Sequence, residues 1–110
     1  MSANLVSIIM PTRYYGRLIG ETLRSVAAQT YPNIETVVID DGSTDDTQAV
    51  IAGFPVMSLR TDGVGAAAAR NAGLDAASGD FVMFLDSDDL LEPDAIEALI
   101  STQADVAIGR

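Results

Sequence analysis

Hydrophobic residues along the chain occur in short runs rich in β-branched side chains, and segments with helical spacing separate these runs. The runs predict strands at Leu5–Met10, Thr36–Ile39, Val56–Leu59, Phe81–Leu85 and Val106–Ile108. Helical patterns extend over residues 18–29, 44–52, 65–77 and 93–103. Strand and helix therefore alternate along the whole chain, which is typical of an α/β domain.

This alternation predicts right-handed crossovers and a Rossmann-like, mainly parallel sheet with helices on both faces. The nearly continuous apolar strands agree with burial on both sides. Ser43–Asp46 has the composition of a helix cap, and Pro93 is placed at the first position of the last helix. Gly73 and Gly79 are predicted to lie where the chain reverses direction.

Polar residues follow three of the predicted strands. They form the segments Pro11–Arg13, Asp40–Ser43 and Asp86–Asp89. All strands of a parallel sheet end at the same edge, and ligands of open α/β folds bind at that edge. We therefore expect these segments, which are distant in sequence, to meet there.

The chain has 110 residues, 48% of them hydrophobic, which suits one domain with a single core. Its formal net charge is −10, and it contains no lysine. A surface this acidic would repel nucleic acid, whose recognition depends on cationic side chains. An anionic ligand would need to bind together with a cation.

Cysteine and histidine are both absent, so any bound metal must be held by oxygen. No apolar run is long enough to cross a bilayer, and the N-terminus lacks the positive region of a secretory signal. The expected location is cytoplasmic, with membrane association open for a longer parent protein.

Five aspartates are predicted at the carboxyl edge of the sheet: Asp40, Asp41, Asp86, Asp88 and Asp89. Two carboxylates about 4 Å apart repel each other by roughly 4 kcal/mol at an effective dielectric constant near 20. Such a group must bind protons or share a cation, and oxygen ligands suit Mg²⁺, Mn²⁺ or Ca²⁺. An ordinary turn remains an equal interpretation of the Asp40–Ser43 segment alone.

Arg70 stands out because it lies within an otherwise apolar helical segment. It could be a solvated or salt-bridged arginine, or a fixed cation for a phosphate or a base.

Several segments of the chain, in order, resemble the family 2 glycosyltransferases of the GT-A fold. They cover nearly the whole sequence and consist of Val6–Thr12, Leu23–Asn33, Val37–Asp45, Ala69–Gly73 and Phe84–Asp89. The resemblance implies a nucleotide-diphosphate-sugar site and transfer to an acceptor hydroxyl with inversion. A UDP-sugar is the expected donor, and a saccharide, a lipid or another hydroxyl compound is the expected acceptor.

The resemblance also implies residue roles. The segment Pro11–Thr12 would lie against the base and ribose, and Asp41 would accept a hydrogen bond from the base edge. Arg70 would lie near the base and pyrophosphate. Asp86 would face the ribose and take part in the metal site, where Asp88, with Asp89 beside it, would ligate the Mn²⁺ or Mg²⁺ that bridges the phosphates.

Two departures from the family pattern matter. Arg13 and Tyr14 stand where family members usually have Tyr-Asn, so either an arginine plane or Tyr14 would pack on the base. The general base of inverting members lies well downstream, and we expect it beyond Arg110. Residues 1–110 are therefore expected to form the donor-binding part alone, and an exposed sheet edge could promote a homodimer.

Four other classes of protein deserve comparison. Residues 63–68 fit the GxGxxA motif of dinucleotide-binding domains, with Asp86 about twenty residues further on. Phospho-accepting receiver domains and P-loop hydrolases are excluded because both need a lysine. A domain that binds a nucleotide without turnover stays open.

Overall fold

The computed structural model of the chain describes residues 4–14 and 16–101, except for the side chain of Arg17. Strands and helices alternate, as predicted. They are β1 (Val6–Thr12), α1 (Gly16–Ala27), β2 (Ile34–Asp41), α2 (Thr47–Ile51), β3 (Met57–Thr61), α3 (Ala66–Ala76), β4 (Phe81–Phe84) and α4 (Ala95–Ser101). The strand predicted at residues 106–108 and the end of the last predicted helix lie outside the described residues.

The four strands form one sheet in the order β3-β2-β1-β4, and every neighbouring pair is parallel. Thr12 of β1 is paired with Asp40 of β2, and Asp41 is paired with Thr61 of β3. The carboxyl ends of β1, β2 and β3 therefore lie side by side. The predicted parallel α/β architecture is confirmed.

The sheet buries apolar side chains on both faces. Ile8 and Met10 of β1 pack on one face with side chains of α1, α2 and α4. Ile9 of the same strand packs on the other face with Val37, Ile39 and Ala69 of α3. The alternation of side chains along a strand thus places helices on both faces, which fixes the sheet edge that is left for a ligand.

The first two strands are longer than the sequence predicts. Thr12, Asp40 and Asp41 belong to the strand ladder rather than to loops, which corrects our assignment. The apolar pattern ends at Met10 and Ile39, but backbone pairing does not require apolar side chains. The polar residues at this edge are therefore held by the sheet itself.

Two helices begin later than predicted. In α2 the side chain of Asp45 accepts hydrogen bonds from the backbone N–H and the hydroxyl of Thr47, which delays the start to Thr47. The last helix begins at Ala95, so Pro93 lies in the preceding turn and not at a helical position.

Gly73 is also placed differently from our prediction, because it lies inside α3 and not at a chain reversal. A Cβ atom there would lie 2.5 Å from Ile39 Cδ1 and 2.6 Å from Ile9 Cγ2. Gly73 therefore allows α3 to pack closely on the sheet. Within the described residues, no helix combines the length and the apolar character that crossing a bilayer requires.

Candidate functional site

A cavity of about 380 Å³ lies at the carboxyl edge of the sheet. Its walls come from the end of β1, the end of β2, the start of α3 and the loop after β4. The lining residues are Pro11, Thr12, Arg13, Asp41, Gly65, Ala66, Ala69, Asp86, Ser87 and Asp88. Six predicted site residues therefore meet here: Pro11, Thr12, Arg13, Asp41, Asp86 and Asp88. Asp40, Arg70 and Asp89 are not among the lining residues.

The early end of β4 opens this cavity. The β1–β4 ladder ends at Ile9 and Phe84, and the Leu85 N–H then donates to the Ile9 carbonyl at 3.0 Å. The backbone N–H and C=O positions of Pro11 point to the same side of β1 as those of Ile9, toward β4. Because the β1–β4 ladder ends at Ile9, no β4 residue is paired with Pro11. A missing N–H costs no ladder hydrogen bond there, which explains a proline in a central strand.

Within the part of the chain that the structure describes, the hydroxyl of Thr12 has no hydrogen-bond partner. Thr12 is 4% exposed, and among the described residues its Oγ1 is a buried side-chain polar atom without a hydrogen bond. Most buried polar groups in native proteins are hydrogen-bonded. Thr12 is paired in register with Asp40, so its side chain lies on the same face of the sheet as Asp40, and its unpaired hydroxyl is buried rather than exposed to the cavity.

Asp41 is buried and holds the loop that leads into α3. Its carboxylate accepts hydrogen bonds from the Thr61 hydroxyl at 2.6 Å and from the Val64 and Gly65 amides at 2.8 Å each. The bond from Thr61 is the largest cause that lowers the pKa of Asp41, and the two amides add to it, although burial alone would raise that pKa. Asp41 therefore stays ionised and available as an acceptor at the cavity wall.

Asp40 does not belong to the cavity, contrary to our expectation that five aspartates share one site. Its fully buried carboxylate lies 3.0 Å from Arg60 Nη1 and also accepts hydrogen bonds from Gln48 and from the Ser43 amide. Adjacent residues of a strand point to opposite faces, so Asp40 and Asp41 diverge. Asp40 therefore has a structural role, although it lies in β2 and not in a turn.

Arg13, and not Tyr14, lines the cavity. The Arg13 guanidinium carbon lies 5.1 Å from the centroid of the Tyr14 ring, a cation–π distance. Tyr14 is held at a positive φ of 64°, and its N–H donates to Ser43 Oγ at 2.7 Å. The tyrosine thus supports the arginine plane from outside the cavity.

Three exposed carboxylates meet in the loop after β4. Oxygen atoms of Asp86, Asp88 and Asp89 lie within 4.8 Å of one another. An oxygen-only donor set of this size fits Mg²⁺ or Mn²⁺. Arg70 Nη2 lies 3.8 Å from Asp86 Oδ1 and is the cation next to this cluster.

The small residues of the cavity wall were not predicted as site residues. Gly65 and Ala66 lie at the start of α3, and the buried Ala69 lies one turn further on. A run of small residues at a helix start is the signal that could have identified them, because small side chains let a ligand approach the backbone. Ser87 was not predicted because a serine between two aspartates gives no separate signal of a site residue.

The glycine motif does not form a dinucleotide site. It does lead from β3 into α3, but the Val64 and Gly65 amides already donate to Asp41. Strands β3 and β4 also lie at opposite edges of the described sheet, so Asp86 does not follow a neighbouring strand. A dinucleotide unit needs free amides in this loop and an acid at the end of the adjacent strand.

The fold and the cavity define an α/β domain with an acidic, oxygen-rich ligand site at the carboxyl edge of a parallel sheet. The model of "Glycosyl transferase family 2" matches residues 7–108. The chain therefore belongs to glycosyl transferase family 2.

Similar proteins agree with this assignment. "Glycosyltransferase GlyA" of Streptococcus pneumoniae is 39% identical over 94% of this chain and 16% of its own length. The Escherichia coli "UDP-Glc:alpha-D-GlcNAc-diphosphoundecaprenol beta-1,3-glucosyltransferase WfgD" is 43% identical over 92% of this chain and 42% of its own length. The chain thus spans less than half the length of either relative.

Solved structures show the same fold. TarS residues 1–349 of S. aureus in complex with UDP superpose with a TM-score of 0.83 at 32% identity, covering 88% of this chain and 31% of that one. The mannosyltransferase PcManGT of Pyrobaculum calidifontis, in complex with GDP-Man and Mn²⁺, gives a TM-score of 0.87 at 30% identity. The match covers 94% of this chain and 33% of the PcManGT chain.

Proposed function

We propose that this chain binds the nucleoside diphosphate part of a sugar donor, and that its parent protein transfers the sugar to an acceptor hydroxyl. One observation carries the proposal: the ionised Asp41 lines the same cavity as Asp86 and Asp88 of the three-aspartate cluster. UDP is the proposed nucleotide, since WfgD is named for UDP-Glc and TarS was solved with UDP. PcManGT with GDP-Man makes GDP the second candidate.

The base and ribose would occupy the part of the cavity between β1 and α3. Pro11 and Thr12 line it. Asp41 also lines the cavity, and because a carboxylate oxygen can accept more than one hydrogen bond, it would accept one from an N–H of the base. The Arg13 guanidinium plane would pack on the base.

The diphosphate would lie toward the loop after β4. Asp88, with Asp86 and Asp89 beside it, would hold Mn²⁺ or Mg²⁺, which supplies charge that stabilises the departing phosphate. A chain with a formal net charge of −10 needs such a cation to accept an anionic ligand. Arg70, next to Asp86, would add a fixed positive charge.

The remaining chemistry is proposed for sequence beyond Arg110. A carboxylate there would act as general base on the acceptor hydroxyl, and a single in-line displacement would invert the anomeric carbon. Residues 1–110 would then bind the donor without completing the transfer. Dimerisation through a sheet edge stays a prediction, with β3 and β4 as the edges of the described sheet.

Calorimetric titration with UDP, with and without Mn²⁺, tests the proposal. Asp88→Ala should remove metal-dependent binding, because it removes a cation ligand from an exposed loop. Asp41→Asn should weaken UDP binding about tenfold and retain the metal dependence, since it removes the proposed acceptor for the base. Asp75→Ala removes the same charge from an exposed position of α3 and is the matched control.

Equal affinity of the wild type and Asp88→Ala in the presence of Mn²⁺ would contradict the site. A thermal-shift comparison of UDP, GDP, TDP and NAD adds a second criterion. Stabilisation by UDP that a chelator abolishes is expected, whereas stabilisation by NAD that is indifferent to the chelator would overturn the proposal.

A further inference from the structure

The acidic loop lacks regular secondary structure, yet it must hold carboxylates at fixed separations. Between the end of β4 at Phe84 and the start of α4 at Ala95, the chain forms only turns and extended segments. Asp86, Asp88 and Asp89 repel one another when no cation is bound. Some other part of the molecule must therefore fix this loop.

A polar stripe on α1, which continues just past its end, provides this support. The Thr22 hydroxyl donates to the Ser87 carbonyl at 2.8 Å, and Ser25 Oγ accepts from the Leu91 N–H at 3.2 Å. Gln29 Nε2 donates to the Glu92 carbonyl at 2.7 Å, and its Oε1 accepts from the Ile96 N–H at 3.0 Å. These three stripe residues therefore hold the loop from Ser87 to the start of α4.

Thr22 occupies the decisive position in this stripe. It is fully buried, and its partner Ser87 is 3% exposed and lies between the two acids that line the cavity. On either side of this bond, the Leu85 N–H donates to Ile9 and the Asp89 N–H donates to Asp86. The Thr22 bond thus ties the turn that carries the carboxylates to the rigid helix.

We propose that Thr22, supported by Ser25 and Gln29, is a positioning residue for the divalent-cation site. It touches neither cation nor substrate and acts by fixing the Ser87 carbonyl. The proposal rests on the proposed function, because the cation belongs to the same nucleotide-sugar site. Groups that orient metal ligands from outside the coordination sphere commonly change metal affinity by 10- to 100-fold.

Amide hydrogen exchange in the metal-free chain gives the first test. Thr22→Val keeps the shape and removes the hydroxyl, so exchange of the Asp89 N–H should accelerate about tenfold as the turn opens more often. Thr22→Ser keeps the hydroxyl and should restore slow exchange. Thr47→Val is the matched control, because Thr47 is equally buried but bonds to Asp45.

Titration of Mn²⁺ in the presence of UDP gives the second test. Thr22→Val should bind Mn²⁺ about tenfold more weakly, while UDP binding without metal and the affinities of Thr22→Ser and Thr47→Val stay at the wild-type level. Wild-type Mn²⁺ affinity or unchanged Asp89 exchange in Thr22→Val would overturn the positioning role alone. A wild-type chain that fails to bind Mn²⁺ with UDP would overturn both the proposed function and this inference.

Discussion

The two ends of the sheet differ in how their polar groups are satisfied. At the amino end, Ser7 Oγ donates to Glu35 and accepts from the Gly79 N–H, and Glu35 also accepts from the N–H and hydroxyl of Ser78. At the carboxyl end, the buried Thr12 hydroxyl has no partner among the described residues. The polar groups at the amino end are thus paired within the protein, whereas the carboxyl end retains a buried hydroxyl without a partner.

The presence or absence of a hydrogen-bond partner distinguishes the polar groups of the two ends better than residue type does. Both ends contain serine or threonine and carboxylates, so composition alone does not distinguish them. Paired groups stabilise the fold, whereas a buried group without a partner costs stability. Three substitution experiments, with decreasing expected effects, test this comparison.

The closed amino end should tolerate no added atom. A Cβ at Gly79 would lie 2.8 Å from the Ser7 nitrogen and 2.9 Å from the Leu5 carbonyl oxygen. Gly79→Ala should therefore lower the free energy of unfolding by about 3 kcal/mol in urea denaturation. Gly53→Ala, where a Cβ would lie at an ordinary 3.5 Å from the Val50 carbonyl oxygen, is the control. Equal stability of the two variants would show that the amino end is not closely packed.

Removing one hydroxyl from each end should have opposite effects. Ser7→Ala leaves the Gly79 N–H without its acceptor and should cost about 2 kcal/mol of unfolding free energy. Thr12→Val removes an unpaired buried hydroxyl, so it should raise that free energy by about 1 kcal/mol. Urea denaturation measures the two effects. A loss of stability in Thr12→Val as large as that in Ser7→Ala would contradict the comparison.

The carboxylate at the amino end should contribute acid sensitivity. Burial raises the pKa of Glu35, but the hydrogen bonds from Ser7 and Ser78 outweigh it and lower the pKa below the ordinary value of 4.5. A lowered native pKa stabilises the fold above the unfolded pKa, and this stability is lost as pH falls through the native pKa. Glu35→Gln should therefore lose less unfolding free energy between about pH 5 and pH 3 than the wild type. Parallel curves for the two proteins would contradict this.

The sequence predicted the strand and helix order because hydrophobic periodicity reflects burial on the two faces of the sheet. It also predicted the edge where the polar residues meet, since parallel strands end together. It did not predict that β1 and β2 continue through Thr12 and Asp41, because backbone pairing leaves no mark in the side-chain pattern.

The different roles of Asp40 and Asp41 were equally hidden. The two residues are adjacent and chemically identical, and only the direction of each side chain decides that Asp40 bonds to Arg60 while Asp41 faces the cavity. The contacts between α1 and the acidic loop were missed for a related reason. They reach backbone atoms more than sixty positions away, and such atoms are the same in every residue.

The contacts between α1 and the acidic loop fix the backbone of the loop independently of its side chains. Thr22, Ser25 and Gln29 form hydrogen bonds with main-chain atoms of the loop. The outward side chains of the loop can therefore be substituted without removing these bonds. A different set of side chains could therefore be placed on the same loop backbone. Helix α1 thus allows the side chains of the loop, and with them its ligand preference, to change at little cost in folding stability.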